Sequence, residues 1–207
     1  MNLREQIKNY KPFDEQEEKD KEQFLNFIDT FDDVLTRNNI LGHFSASAFV
    51  VNKERNKMVV VYHNILDGWI YPGGHADGEN NLLGVAIREV QEETGLKVKV
   101  LDDSIFSIQS APVKGHIKKG KYVSSHIHFD VVYLLEADEN ETLTFREDES
   151  KGVKWIPFEE ADNETMCDFI RPIHRKLIKK LCSNISNNWY YLKWVILYKI
   201  AKYQIKI

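Results

Sequence analysis

The stretch "GGHADGENNLLGVAIREVQEETGL", residues 73–96, leads from a glycine pair into a helix that ends in acids. At the helical repeat of about 100° per residue, Leu83, Ala86, Ile87, Val90 and Thr94 share one face, which the periodicity sets against a sheet. Glu89, Glu92 and Glu93 fan across a separate arc of about 100°. Gly95 is a natural left-handed residue just past a helix end, so the spacing predicts a helix over roughly 80–94 with three carboxylates in its last turns. Like charges four apart repel by about 0.2–0.5 kcal/mol per pair. Carboxylates at a helix C-terminus also oppose the macrodipole, by about 0.3–1 kcal/mol each when exposed. A divalent cation among them would offset both terms.

The residues before the helix strengthen that reading over a merely solvated acidic face. In "GWIYPGGHADGENN", Pro72 stiffens the approach, and Gly73 and Gly74 let the backbone come close to a ligand and expose its carbonyls. Backbone carbonyls and carboxylates together form a hard oxygen set, which suits Mg²⁺ or Mn²⁺ and not zinc.

Gly74, Arg88, Glu89, Val90, Glu92, Glu93, Gly95 and Leu96 stand at the spacings of the Nudix box, and the segment resembles the Nudix hydrolases. The box reads Gly, five residues, Glu, seven residues, then Arg-Glu-apolar-any-Glu-Glu-any-Gly-apolar. One position departs: Asn80 occupies the place of the upstream Glu, and Glu79 lies one residue earlier. Either Asp77 or Glu79 could pair with Arg88 in its stead. The resemblance implies an α/β/α sandwich with a mixed sheet, and Mg²⁺-dependent cleavage (Mn²⁺ substituting) of a pyrophosphate bond in a nucleoside diphosphate linked to another moiety. It also implies that Glu92 and Glu93 are principal metal ligands, Glu89 a ligand or orienter, and the Gly73 carbonyl a further ligand. Arg88, with Gly74 and Gly95, would be structural. The general base would be a box Glu or an acid of the later "FREDESKGVKW", where Glu149 ranks ahead of Glu147.

Around the box the chain falls into three zones. Residues 1–41 form a charged N-terminal extension in which Phe24, Phe27, Ile28, Phe31, Val34 and Leu35 recur at helical spacing, with Pro12 before the helix. Residues 42–182 carry short β-type runs ("FSASAFVVN", "KMVVVYHN", "KVKVLD", "IFSIQS", "HIHFDVVYLLEA", "GVKWIPF") around the acidic helix, and a second helix over about 165–182. Strands mixed with few helices indicate an α/β sheet covered by helices. Residues 183–207 form an aromatic and lysine-rich tail, suited to packing on its own domain or on a second copy of the chain in a homodimer. As a helix it would group Lys199, Lys202 and Lys206, a pattern that also suits a membrane surface, while "AKYQIKI" alternates as a strand does.

With 207 residues and 43% apolar content, the chain can bury one sizeable core. A formal charge of −4 offers no attraction to a nucleic-acid backbone. The N-terminal stretch lacks the apolar core of a signal peptide, the tail is too rich in lysine for a transmembrane span, and Cys167 and Cys182 form no paired motif. A cytoplasmic setting is expected. In "SSHIHFD", Ser124, His126, His128 and Asp130 alternate onto one strand face, suited to lining a substrate cleft. Two histidines two apart could also bind zinc, but no third ligand follows at a suitable spacing. His75 is a candidate phosphate contact, and Trp69, Tyr71 and Trp155 are candidates for stacking a base. The alternatives to an enzyme are a Nudix-fold module that binds nucleotide or partner without turnover, and a scaffolding protein working through its terminal segments.

Overall fold

The computed structural model describes residues 2–118, 120–145, 150–163 and 165–183. Its centre is β1 (Gly42–Val51), buried along its whole length. It runs parallel to β9 (His126–Ala137), in register from Gly42 against Ile127 to Val51 against Glu136. The order β10-β2-β1-β9-β5 places β2 (Lys57–His63) and β10 (Ser150–Pro157) on one flank and β5 (Val98–Val100) on the other. Short strands fill the gaps: β3 (Gly68–Ile70) on β2, β4 (Gly73–His75) on β1, and β6 (Ser107–Val113) on β9. One parallel pair among antiparallel neighbours makes the sheet mixed. A separate hairpin joins β7 (His116–Lys118) to β8 (Lys121–Val123).

Alternation along β1 and β9 divides the interior in two. Phe44, Ala46, Ala48 and Val50 of β1 join Phe129, Val131, Tyr133 and Leu135 of β9 under Val85, Ala86 and Val90 of α3 (Leu82–Thr94). Phe49 and Val51, with Val132 and Leu134, face the other way and meet Ile173, Leu177, Ile178 and Leu181 of α4 (Ile170–Ser183). Helix, sheet and helix therefore form three layers, as expected. Pro172 sits in the first turn of α4, where no amide hydrogen is required. That helix starts five residues later than its sequence pattern suggests.

The N-terminal segment departs from a single helix. It forms α1 (Leu3–Asn9) and α2 (Glu15–Thr30), with Pro12 between them. Phe31 caps α2, and Val34 and Leu35 lie beyond it in extended chain. There the Phe44 amide donates to the Val34 carbonyl at 2.8 Å and the Gly78 amide to Leu35 at 3.1 Å. These backbone hydrogen bonds to β1 and to Gly78, not helical spacing, hold Val34 and Leu35 against the core, where both are half-buried.

These helices complete the core. The Phe24 ring meets Phe44 and Phe129 edge-on at 5.3 and 5.2 Å, and Phe27 stacks on Phe129 at 4.1 Å. Such pairs add about 0.5–1.5 kcal/mol each beyond the area they bury. Glu17 of α2 is wholly buried beside Lys176 (3.2 Å) and Lys180 (3.3 Å) of α4, and accepts from the Ser107 hydroxyl at 2.6 Å. Tyr10 also donates to it, so one carboxylate joins α2, β6 and α4. Among the described residues, no helix is long and apolar enough to cross a membrane. The tail from residue 184 lies outside the described residues, and so do Glu147 and Glu149.

Candidate functional site

Helix α3 begins at Asn81, whose side chain accepts from the Gly84 amide at 3.1 Å, and ends at Gly95 with φ 74°. A side chain at Gly95 would be strained by that angle and would collide with Thr144. The helix end is thereby fixed, with Glu89, Glu92 and Glu93 in its last turns. Strand β4 lies against them. The Gly73 amide donates to Glu93 Oε2 at 3.0 Å. A Cβ on Gly74 would stand 2.5 and 2.7 Å from the two Glu89 carboxylate oxygens, so only glycine permits this approach.

Arg88 organises the acids from the helix side. Its guanidinium reaches Glu79 Oε2 at 2.8 Å, Glu89 Oε1 at 3.1 Å and Glu92 Oε1 at 3.8 Å. The hydrogen bond to Glu89 comes first among the causes that raise its pKa. Asp77 is engaged elsewhere, in a two-pronged pair with Arg37 whose Nε–Oδ1 distance is 2.7 Å. Of the two acids near the displaced box position, Glu79 therefore meets Arg88. Glu89 and Glu93 are thus seated against the glycine pair, and Glu92 lies on the Arg88 side of the helix end. Among the described residues the three carboxylates are not drawn together as tightly as a metal-ligand cluster. Their oxygens are hard donors of the kind that suits a small divalent cation. This chemistry belongs to one helix and one short strand.

The opposite face of the same strands is polar in a different way. Asp130 of β9 is buried and accepts from Ser47 Oγ (2.7 Å), Ser45 Oγ (2.9 Å), Gln109 Nε2 (2.7 Å) and Tyr71 OH (3.1 Å). Burial raises its pKa, and those four hydrogen bonds oppose the rise. Tyr71 is thus committed to Asp130 and is not free to stack a base. Trp69 is half-buried, with Tyr62 edge-on at 5.2 Å and the Lys154 ammonium 4.3 Å over its ring. Trp155 is half-buried against the α3 core.

Beyond Asp130 the face continues as four histidines. His43 of β1 pairs in register with His128 of β9, and His75 of β4 pairs with Ser45 of β1. The His43 ring lies 5.1 Å from His75, 4.9 Å from His128 and 5.0 Å from His126, centre to centre. His75, His126 and His128, candidates for substrate contact by sequence, therefore come together. His43 and the Ser45–Ser47–Asp130 network are missed by the sequence reading. Their available signal is the polar alternation of His43, Ser45 and Ser47 along an otherwise apolar strand. Desolvation, aided by the nearby Arg37 and the other histidines, lowers His75 to about 3, and His43 is lowered chiefly by its burial. These rings are neutral at pH 7.

A family model described as the NUDIX domain matches residues 42–181. Nudix hydrolase 6 of Arabidopsis thaliana is 28% identical over 61% of this chain and 43% of its own length. An m7GpppN-mRNA hydrolase of Xenopus laevis is 32% identical over 45% of this chain and 29% of its own. A probable DHNTP pyrophosphohydrolase of Lactococcus lactis subsp. cremoris is 33% identical over 47% of this chain and 55% of its own. The chain therefore spans roughly half or less of the length of these curated relatives. Matched over more than half its residues, on the segment that carries the glycine pair and the acidic helix, the chain belongs to the NUDIX family.

Proposed function

We propose that the chain is a Mg²⁺-dependent hydrolase, with Mn²⁺ able to substitute, that cleaves a pyrophosphate bond in a nucleoside diphosphate linked to another moiety. The observation that carries this reading is the seating of Glu89 against Gly74 and of Glu93 on the Gly73 amide, at the end of a helix whose charges otherwise repel. Glu92 and Glu93 would be the principal ligands, Glu89 would be a further ligand or an orienter, and the Gly73 carbonyl would complete the protein's contribution. When bound, the cation neutralises diphosphate charge and polarises the attacked phosphorus. Arg88 holds Glu89 in place and is itself held by Glu79, so the displaced acid still serves the loop. A carboxylate accepts the proton of the attacking water: an acid of α3, or Glu149 or Glu147 of the loop before β10. The anhydride bond breaks, giving a nucleoside monophosphate and the phosphorylated remainder.

Two relatives, an m7GpppN-mRNA hydrolase and a probable DHNTP pyrophosphohydrolase, support this class of bond and differ in substrate. The free thiols of Cys167 and Cys182 support a reducing, cytoplasmic setting. Nucleoside diphosphate derivatives screened with and without Mg²⁺, beside a Glu92→Gln, Glu93→Gln variant, test the proposal. The wild type is expected to turn over at least one compound only with the metal, and the variant to lose most of that activity while staying folded. Binding without turnover by the wild type would favour a non-catalytic nucleotide-binding module instead.

A further inference from the structure

We propose that His43, His75 and His128, with His126 as a fourth donor, form a site for one transition-metal ion of the zinc class, on the sheet face turned away from α3. Among the described residues, one nitrogen from each of the first three lies within 4.8 Å of the others. His43 is only 4% exposed. Its Nδ1 stands 3.4 Å from the Asn39 carbonyl, which can only accept, so Nδ1 carries the proton and Nε2 the lone pair. That Nε2 is buried with no hydrogen-bond partner. Packing four imidazoles together accounts for their tilted and edge-on ring contacts but leaves this acceptor unsatisfied, whereas a cation satisfies it.

His126 repeats the pattern. Its Nδ1 is 2.8 Å from the Ser124 carbonyl, so its Nε2 also presents a lone pair, 3.1 Å from His128 Nε2. Two imidazole nitrogens on one tetrahedral zinc stand about 3.3 Å apart, given Zn–N bonds of about 2.0–2.1 Å. A ligand histidine typically donates its second ring N–H to a carbonyl or carboxylate, as His43 and His126 do here. His43, His75 and His128 are all kept neutral, chiefly by burial, which leaves their lone pairs available. Arg37 and Lys118 are cations near the cluster, and Asp77 pairs with Arg37 on two prongs.

Imidazole donors select zinc, copper or nickel over magnesium, so this site and the carboxylate array sort two classes of ion. The donors are wider apart than in a closed tetrahedral site, and small ring rotations bring them inward. The ion would join β1, β4 and β9, clamping the strand that carries Gly73 and Gly74. None of Glu89, Glu92 or Glu93 takes part, so the site stands or falls apart from the hydrolytic reading.

The test is a titration of the full chain, stripped of metal, with Zn²⁺ against a chromophoric chelator in excess Mg²⁺. One equivalent should bind with submicromolar affinity. His43→Gln and His128→Gln should each weaken it by at least about tenfold, and Glu92→Gln, Glu93→Gln should leave it unchanged. Co²⁺ in place of zinc should give the visible absorption of a tetrahedral nitrogen site. Should His43→Gln fail to fold, the half-exposed His75 and His126 carry the same comparison as His75→Gln and His126→Gln. Absence of a tight equivalent, its survival in the histidine variants, or its loss in the glutamate variant would each overturn the proposal.

Discussion

Two polar constellations meet at the three residues of β4 and differ in how the chain assembles them. On one side, Glu89 and Glu93 reach Gly74 and Gly73 from a single helix. On the other, His75 meets His43 and His128, and His126 meets those two in turn; His43, His126 and His128 come from two further strands. The first is a local pattern of hard oxygen donors. The second exists only once β1 has paired with β4 and with β9. A motif written into one continuous stretch can be recognised before any fold is known, and a cluster created by sheet register cannot.

The largest expected effect separates the two sides. Glu92→Gln with Glu93→Gln should remove several kcal/mol of transition-state stabilisation, a fall in kcat/KM of at least about 100-fold. Urea denaturation should show an unchanged midpoint. A matching loss of stability would mean that the acids serve the fold, and the contrast would break.

A distant contact should behave in the opposite way. Glu17→Ala strands Lys176 and Lys180 in the interior, where breaking a buried pair costs about 3–5 kcal/mol. Desolvation raises the Glu17 pKa, but Lys176, Ser107, Tyr10 and Lys180 together bring it below the usual carboxylate value. Its contribution is therefore present at neutral pH and is lost as pH falls through that lowered pKa. Equilibrium unfolding at pH 7 checks the size.

Gly74→Ala tests the close approach itself. The added methyl must displace the Glu89 carboxylate, the end of a flexible side chain that can swing aside at small cost to stability. Turnover should suffer more than the unfolding midpoint, because the displaced group belongs to the acid array. Equal losses would show that the glycine is needed only for the strand.

The helix face opposite α3 yields a pH signature. His174 is wholly buried, and burial, partly opposed by the Ala161 backbone, pushes its pKa down to about 4. The unfolded chain takes up that proton near pH 6.5 and the folded chain does not, so stability falls as pH drops through 6.5 and levels off below about 4. From pH 7 to pH 5 the loss from this residue is about 1–2 kcal/mol. His174→Phe should lower the slope of Tm against pH over that range by this residue's share, while His43, His75 and His128 keep theirs. The smallest effect is expected for Ser47→Ala, which deletes one of four bonds to Asp130 at a cost of about 1 kcal/mol.

Much of the fold was legible in the sequence for the same reason as the acid array. The run "HIHFDVVYLLEA" is β9, residue for residue, because its long, nearly continuous apolar stretch matches a strand buried on both faces. The predicted helix over 80–94 is α3 at Leu82–Thr94, bounded by a side-chain cap and a left-handed glycine. The two-glycine stretch proves to be a strand, which glycine's weak β preference conceals. The helical spacing of Phe31, Val34 and Leu35 is coincidental, since extended chain beside β1 and Gly78 buries them too. At the site, Asp77 and Glu79 are both candidate partners for Arg88 in the sequence, and the hydrogen bond from Arg88 to Glu79, with Arg37 placed beside Asp77, assigns Glu79 to it. A third histidine for the "HIH" pair was sought nearby in sequence, whereas His43 and His75 arrive through strand pairing.

The central claim is that the three carboxylates closing α3 hold a divalent cation against the glycine pair. Mn²⁺ titration followed by electron paramagnetic resonance, with a non-hydrolysable nucleoside diphosphate derivative present, reads this directly. Mn²⁺ prefers oxygen donors to imidazoles, so the signal reports the acid array. The wild type should bind Mn²⁺ stoichiometrically, and Glu92→Gln, Glu93→Gln should abolish that binding while the histidine variants retain it. Equal Mn²⁺ affinity in wild type and double variant would contradict the account.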